Sequence, residues 1–124
     1  DIVYSLGGFH HTPDTQKSID EVRRVLKKDE VALIMLYHRH ALNYLAHLVT
    51  RTQFDGHKKD PCPGEKAYTK KEVLQLFSKY SQTNIEVDYL FGTGWGKFNY
   101  LVPMPLKKLL GKYWGWHLMI KATK

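Results

Sequence analysis

Seven histidines, one cysteine and a glycine-rich stretch supply the residue types from which a site could be built. His10 and His11 are adjacent, and His38 and His40 flank Arg39. Imidazole titrates near neutral pH, so either pair could move a proton or ligate a metal. Zinc needs three or four converging ligands, normally with acids or cysteines at set spacings. The chain has no His-Glu-x-x-His and no second cysteine, and adjacent loop histidines are expected to point apart, so no metal site is expected. Cys62 sits between Pro61 and Pro63, with only Lys58 and Lys59 near in sequence to activate it, and reads as a spectator thiol. The run Gly92-Thr93-Gly94-Trp95-Gly96-Lys97 suggests a phosphate loop. No Ser or Thr follows the lysine, and Phe98-Asn99-Tyr100 do not open a clear helix, so the stretch reads as a plain loop.

Position separates these groups better than spacing does. Residues 1–6 form an apolar run that Gly7 and Gly8 end, the pattern of a short strand. A loop follows to Asp14, and Asp14 or Thr15 can cap a helix whose apolar stripe is Ile19, Val22, Val25 and Leu26. Lys27-Lys28-Asp29 closes it with basic residues that suit its negative end. Residues 31–37 are continuously apolar, as a strand buried on both faces would be. Strand, helix and strand make a βαβ unit with a right-handed crossover. In an open parallel sheet, ligands bind beyond the C-terminal strand ends. The clusters Gly7-Gly8-Phe9-His10-His11 and Tyr37-His38-Arg39-His40 therefore fall on one rim. Either the glycines admit a ligand to the backbone and the histidines handle protons, or the glycines merely turn the chain beneath solvated histidines.

Downstream, residues 41–52 carry an apolar helical stripe (Leu42, Leu45, Leu48 and Val49), and residues 53–67 are a long loop rich in Gly, Pro and charge. Thr69 and Glu72 fit a capping box for a helix with Val73, Leu74, Phe77 and Tyr80 on its core face. Residues 85–91 alternate as a half-buried strand. Residues 105–112 suit a short helix with Pro105 in its first turn, and residues 114–122 a last strand, with Trp116, Leu118 and Ile120 on one side. Trp95, Trp114 and Trp116 read as packing residues. The order is β-α-β-α-loop-α-β-α-β, without an internal repeat.

With 124 residues, 43% apolar and 25% charged, the chain is of single-domain size and excludes disorder, collagen and a disulfide scaffold as overall classes. No run of about 18 apolar residues exists, so no transmembrane helix is expected. The net charge is +7, and residues 89–124 hold six lysines and no acid. These lysines are scattered, which reads as a solvated face; nucleic-acid binding is not expected. The chain opens with Asp-Ile-Val-Tyr, inside a core-type strand, and so reads as a piece of something longer. A single cysteine is compatible with a reducing, cytoplasmic setting.

The opening Asp1-Ile2-Val3-Tyr4-Ser5-Leu6-Gly7-Gly8-Phe9-His10-His11-Thr12-Pro13-Asp14 resembles the fourth strand of class I S-adenosylmethionine-dependent methyltransferases, where Asp-x-Val and an apolar stretch precede His-His or Leu-His and a proline. Residues 18–27 resemble the family's next helix and residues 31–36 its fifth strand. The helix start at Tyr68-Thr69 and the terminal Gly115-Trp116-His117-Leu118 strand are also similar. The likeness covers nearly the whole chain. Lys28-Asp29-Glu30 stands where the family usually has Pro-Gly-Gly.

The resemblance implies an α/β fold: the C-terminal half of a Rossmann-like methyltransferase sheet, one partial domain over residues 1–124, strands in the order first, second, fourth, third, the last antiparallel. It implies that Leu6, Gly7 and Gly8 run beside the methionine end of S-adenosylmethionine, and that His10 and His11 face the methyl group and a small-molecule acceptor, one of them as a base. Tyr37, His38, the 53–67 loop and the loop around Trp95 would shape the acceptor pocket. The family's first strand, the glycine loop after it and the ribose-binding acid lie upstream of the matched segment. Weak or no cofactor binding by this chain alone follows. The alternative is a non-enzymatic oligomeric module derived from a truncated domain. Under either, the edge of Ile2–Leu6 is expected to pair with another copy.

Overall fold

The computed structural model describes residues 1–50, 56–57, 60–61, 66–91, 95 and 97–124, with no side-chain description for 56, 57, 60, 61 and 98. The chain begins with β1 (Ile2–Leu6), a one-turn 3₁₀ helix at Phe9–His11, α1 (Thr15–Val25), β2 (Val31–His38) and α2 (Leu42–Thr50). Two-residue strands β3 (Gly56–His57), β4 (Asp60–Pro61) and β5 (Ala67–Tyr68) follow, then α3 (Lys70–Leu76) and β6 (Gln82–Asp88). The remaining elements are α4 (Phe98–Leu101), α5 (Met104–Trp114) and β7 (His117–Thr123).

The main sheet runs β1-β2-β7-β6. β1 pairs parallel with β2, in a register that sets Leu6 opposite Met35. β7 lies antiparallel between β2 and β6, opposing Tyr37 with His117 and Asp88 with His117 on its two sides. β1, β2 and β6 therefore point the same way, and their C-terminal ends share one rim. β5 pairs parallel with β2 just beyond the end of β1, a strand that the sequence pattern placed inside a loop. This is the mixed sheet with an antiparallel last strand of a Rossmann-like methyltransferase, in the topology of its C-terminal half.

One face of the sheet carries the core. Ile34, Leu36, Leu118 and Ile120 meet Ile19, Val22 and Leu26 after α1 and Val73 and Phe77 after the start of α3. Asp14 caps α1 by accepting from the Lys17 N–H at 3.0 Å. Thr69 and Glu72 close the full capping box on α3. α1 stops at Val25, ahead of the lysines expected to end it, and Leu26 becomes a core residue at its cap. Asp29 then takes φ 66°, the left-handed region, at a position where the resembled family has glycine.

The opposite face is covered only in part. Trp116, Ala41 and Tyr44 pack over Met35 and Tyr37 at the rim end. Further back, Leu33 is 38% exposed, which corrects the expectation that β2 is buried on both faces. Strand residues alternate sides, and no described element lies over this half of the sheet. Ile2, Tyr4 and Leu6 share that face and are 62%, 74% and 65% exposed.

Candidate functional site

Gly7 ends β1 with φ 92°, a turn that glycine makes without steric cost, and folds the next residues back onto the rim. A Cβ there would lie 3.6 Å from Met35 Cε and 3.9 Å from His10 Cε1, so the turn is packed but not closed. The 3₁₀ turn is held from several sides. Lys66 N–H donates to the His10 carbonyl at 3.2 Å, and Lys66 Nζ reaches the carbonyls of Thr12 and Pro13. The Tyr68 hydroxyl donates to Thr15 Oγ1, which donates to the Phe9 carbonyl. Arg39 spans the Ala67 carbonyl and Glu72.

Within this frame the histidines do not point apart. Their ring centroids are 4.1 Å apart, which corrects the expectation for adjacent loop histidines. His10 is fully buried, so it is no solvated loop group. Its ring lies against Tyr37 at 3.9 Å, while His11 meets Tyr37 edge-on at 6.5 Å. The 3₁₀ turn sets both residues over the end of β2, where each ring meets Tyr37. Tyr37 continues the stack onto Trp116 at 4.3 Å and towards His117 at 6.2 Å, and His117 stacks on Tyr89 at 4.8 Å. A row of rings thus crosses the rim from the end of β1 to the end of β6.

Of the residues singled out in the sequence, Gly7, His10, His11 and Tyr37 come together, with Leu6 beside them opposite Met35. Gly8 opens the 3₁₀ turn. His38 follows Tyr37 in the strand and so turns to the other side. It is buried, with Nδ1 3.1 Å from the Gly115 carbonyl and its ring 5.7 Å from His40. Burial pushes its pKa down from the usual value, against the hydrogen bond to Gly115. Trp95 joins α2 by donating from its indole N–H to the buried Asn43, and its ring lies 5.1 Å from Phe91. Gly92, Gly94, Gly96, Cys62, Lys58 and Lys59 lie outside the described residues, as does most of the 53–67 loop. Among the described residues, no three His, Cys, Asp or Glu side chains gather as a metal site would require, and no helix is long and apolar enough to cross a membrane.

Sequence reasoning missed Trp116, His117, Tyr89 and Asn43 as members of this rim. Trp116 and His117 join Tyr37 only through the β2–β7 register, which local pattern does not encode. The residue types were a usable signal: three of the four are aromatic or imidazole groups next to predicted strand ends.

No protein-family model matches the chain, and no curated protein matches it. Among solved structures, the chain is similar to an S-adenosylmethionine-dependent methyltransferase of Thermotoga maritima, described as a possible histamine N-methyltransferase. The TM-score is 0.69 at 15% identity, over 100% of this chain and 55% of that one. The chain thus spans about half the length of that protein. The likeness shows the fold alone.

Proposed function

We propose that this chain is the acceptor-side half of an S-adenosylmethionine-dependent methyltransferase, acting on a small molecule as part of a longer, cytoplasmic parent protein. The observation that carries this is the packing of His10 and His11 against Tyr37 just beyond the glycine end of β1, on the C-terminal rim of a sheet with this topology. The residues present fit one wall of a cofactor site. Gly7 and Gly8 carry no side chain, and a Cβ on Gly7 would be in ordinary van der Waals contact with Met35 and His10, so the backbone there comes close to the rim without bulk of its own. When bound, the cofactor supplies a methyl group on a sulfonium. This chain's part is to hold the acceptor in line, which is worth most in such a displacement. His11 takes the proton of an acceptor O–H or N–H at an imidazole nitrogen. His10, buried between His11 and Tyr37, fixes the angle of that ring. Tyr37, His38 and Trp95 belong to the acceptor side, Tyr37 by direct contact and the other two by holding the β2 end and α2.

The test is methyl transfer from labelled S-adenosylmethionine by the parent protein. His11→Ala is expected to lower turnover at least about tenfold while cofactor binding changes by less than about threefold. Equal turnover with an O–H or N–H acceptor contradicts the role of His11.

A second reading is favoured by the bare face of β1 and β2: a non-enzymatic module in which the free edge of Ile2–Leu6 pairs with a second copy. Two edges meeting about a two-fold axis would pair antiparallel and continue the sheet.

A further inference from the structure

α5 leans on the end of β6, and between them lies a groove of about 890 Å³. That size suits a small-molecule ligand. One wall is β6 and the residues after it, from Ile85 to Phe91; the other is Met104, Lys107, Lys108 and Lys112 of α5, with Lys70 and Asn99 at the margins. The end of β6 that lines the groove shares the rim that carries His10 and Tyr37, because β6 runs parallel to β1 and β2. Three of the six acid-free lysines of residues 89–124 therefore share one concave place.

Their charge is only partly compensated. Lys107 Nζ donates to Asn99 Oδ1 at 2.9 Å, and none of the four lysines is ion-paired with a described carboxylate. Two carboxylates line the groove, Glu86 and Asp88. Asp88 is already engaged, accepting from the Tyr89 N–H at 2.7 Å. Four ammonium groups against two carboxylates leave a net positive groove.

Tyr89 supplies the second observation. It holds φ 66°, an outlier for a bulky residue, in the lining of this groove. Strain of this kind collects at ligand sites, where the fold over-determines it. Here the Tyr89 carbonyl accepts from Trp116 N–H at 2.8 Å, and Gly111 and Gly115 bring α5 against the Asp88–Leu90 backbone. The result is a half-exposed tyrosine ring stacked 10° from parallel on His117, a platform for a second flat ring.

We propose that the α5–β6 groove binds an organic anion in which a flat ring carries a phosphate or carboxylate. The ring lies on Tyr89 and the anionic group meets Lys108 and Lys112, one turn apart on α5. That this anion is the methyl acceptor rests on the reading above; binding itself needs neither cofactor nor parent.

The test is an amide and side-chain NMR titration of this chain with phenyl phosphate, benzoate and inorganic phosphate. Saturable shifts are expected at Tyr89, His117 and the α5 amides with phenyl phosphate or benzoate, whichever binds tighter giving the anion class. Inorganic phosphate should bind at least about fivefold more weakly. The double variant Lys108→Gln/Lys112→Gln should weaken binding about tenfold, and Tyr89→Ala about fivefold. The distant, equally charged change Lys17→Gln/Lys28→Gln should leave it unaltered. No saturation with any probe, shifts centred elsewhere, or equal weakening by the two double variants overturns the proposal. If the anion binds as expected and the parent transfers no methyl group, the site stands and the methyltransferase reading falls.

Discussion

Asp29 and His38 are the residues at which local chemistry and the fold most visibly disagree. Asp29 is held at φ 66° by the junction between α1 and β2, where its N–H donates to the Lys124 carbonyl at 3.2 Å. A left-handed backbone costs an L-residue about 1–2 kcal/mol, less for aspartate, and glycine almost nothing. Asp29→Gly is therefore expected to raise stability by about 1 kcal/mol in urea unfolding; a loss would mean that the aspartate side chain does work in the turn. His38 is buried and its pKa is lowered, first by desolvation and then by the nearby His40 and Lys70, with the Gly115 carbonyl opposing. The sign follows directly. The unfolded chain takes up the proton near the ordinary value of 6.5, and the folded chain only at lower pH. Stability is thus complete above that value and falls as pH drops below it. His38→Gln should flatten this loss, measured as urea midpoints from about pH 7.5 to about pH 5.5; parallel slopes in the two proteins contradict it. That the histidines sat on one rim was legible from strand ends alone. That His10 is buried and His38 turned away was not: the 3₁₀ turn decides the first, and the second follows because β2 runs one residue past the expected end at 37.

At the scale of elements, two glycines in and after α5 make opposite predictions. A Cβ on Gly115 would stand 2.3 Å from the carbonyl oxygens of Asp88 and Gly111, with backbone on both sides and nowhere to move. Gly115→Ala is expected to cost about 3 kcal/mol, the upper end for overpacking, and to loosen α5. At Gly111 the nearest atom would be Asp88 Oδ1 at an ordinary 3.5 Å. Gly111→Ala, inside the helix, should therefore stabilise by up to about 1 kcal/mol through helix propensity. Denaturation midpoints of the two variants moving the same way would refute this account of the joint. The helices and main strands were legible because their signals are local: the Asp14 cap, the Thr69–Glu72 box, the apolar run of β2. Boundaries shifted where tertiary contacts took over. The strand expected at 85–91 is Gln82–Asp88, since its ladder with β7 starts at Gln82 and the chain turns at Tyr89. The strand expected from 114 starts at His117, because Trp114 completes α5 and Trp116 packs on Tyr37. β5 is two residues long and gave no pattern to read.

For the whole molecule, the uneven cover of the sheet is the dominant fact. One face is a closed core; the other leaves Ile2, Tyr4, Leu6 and Leu33 open beside the free edge of β1. Such an edge templates pairing, so the chain by itself is expected to sediment as a dimer at tens of micromolar. Tyr4→Lys, which sets a charge on that face without touching the core, should shift it to monomer; a wild-type monomer under those conditions would show that the edge is inert. The free edge of β1 is where further strands of such a sheet would pair, and the similar Thermotoga protein is nearly twice as long as the stretch matched here. The proposed function makes this chain one wall of a cofactor site completed by a longer parent. Calorimetric titration of S-adenosylmethionine into this chain and into the parent tests it most directly. The account predicts saturable binding by the parent, near −8 kcal/mol or about micromolar, and none of comparable strength by this chain; micromolar binding by this chain alone, or no binding by the parent, would contradict it.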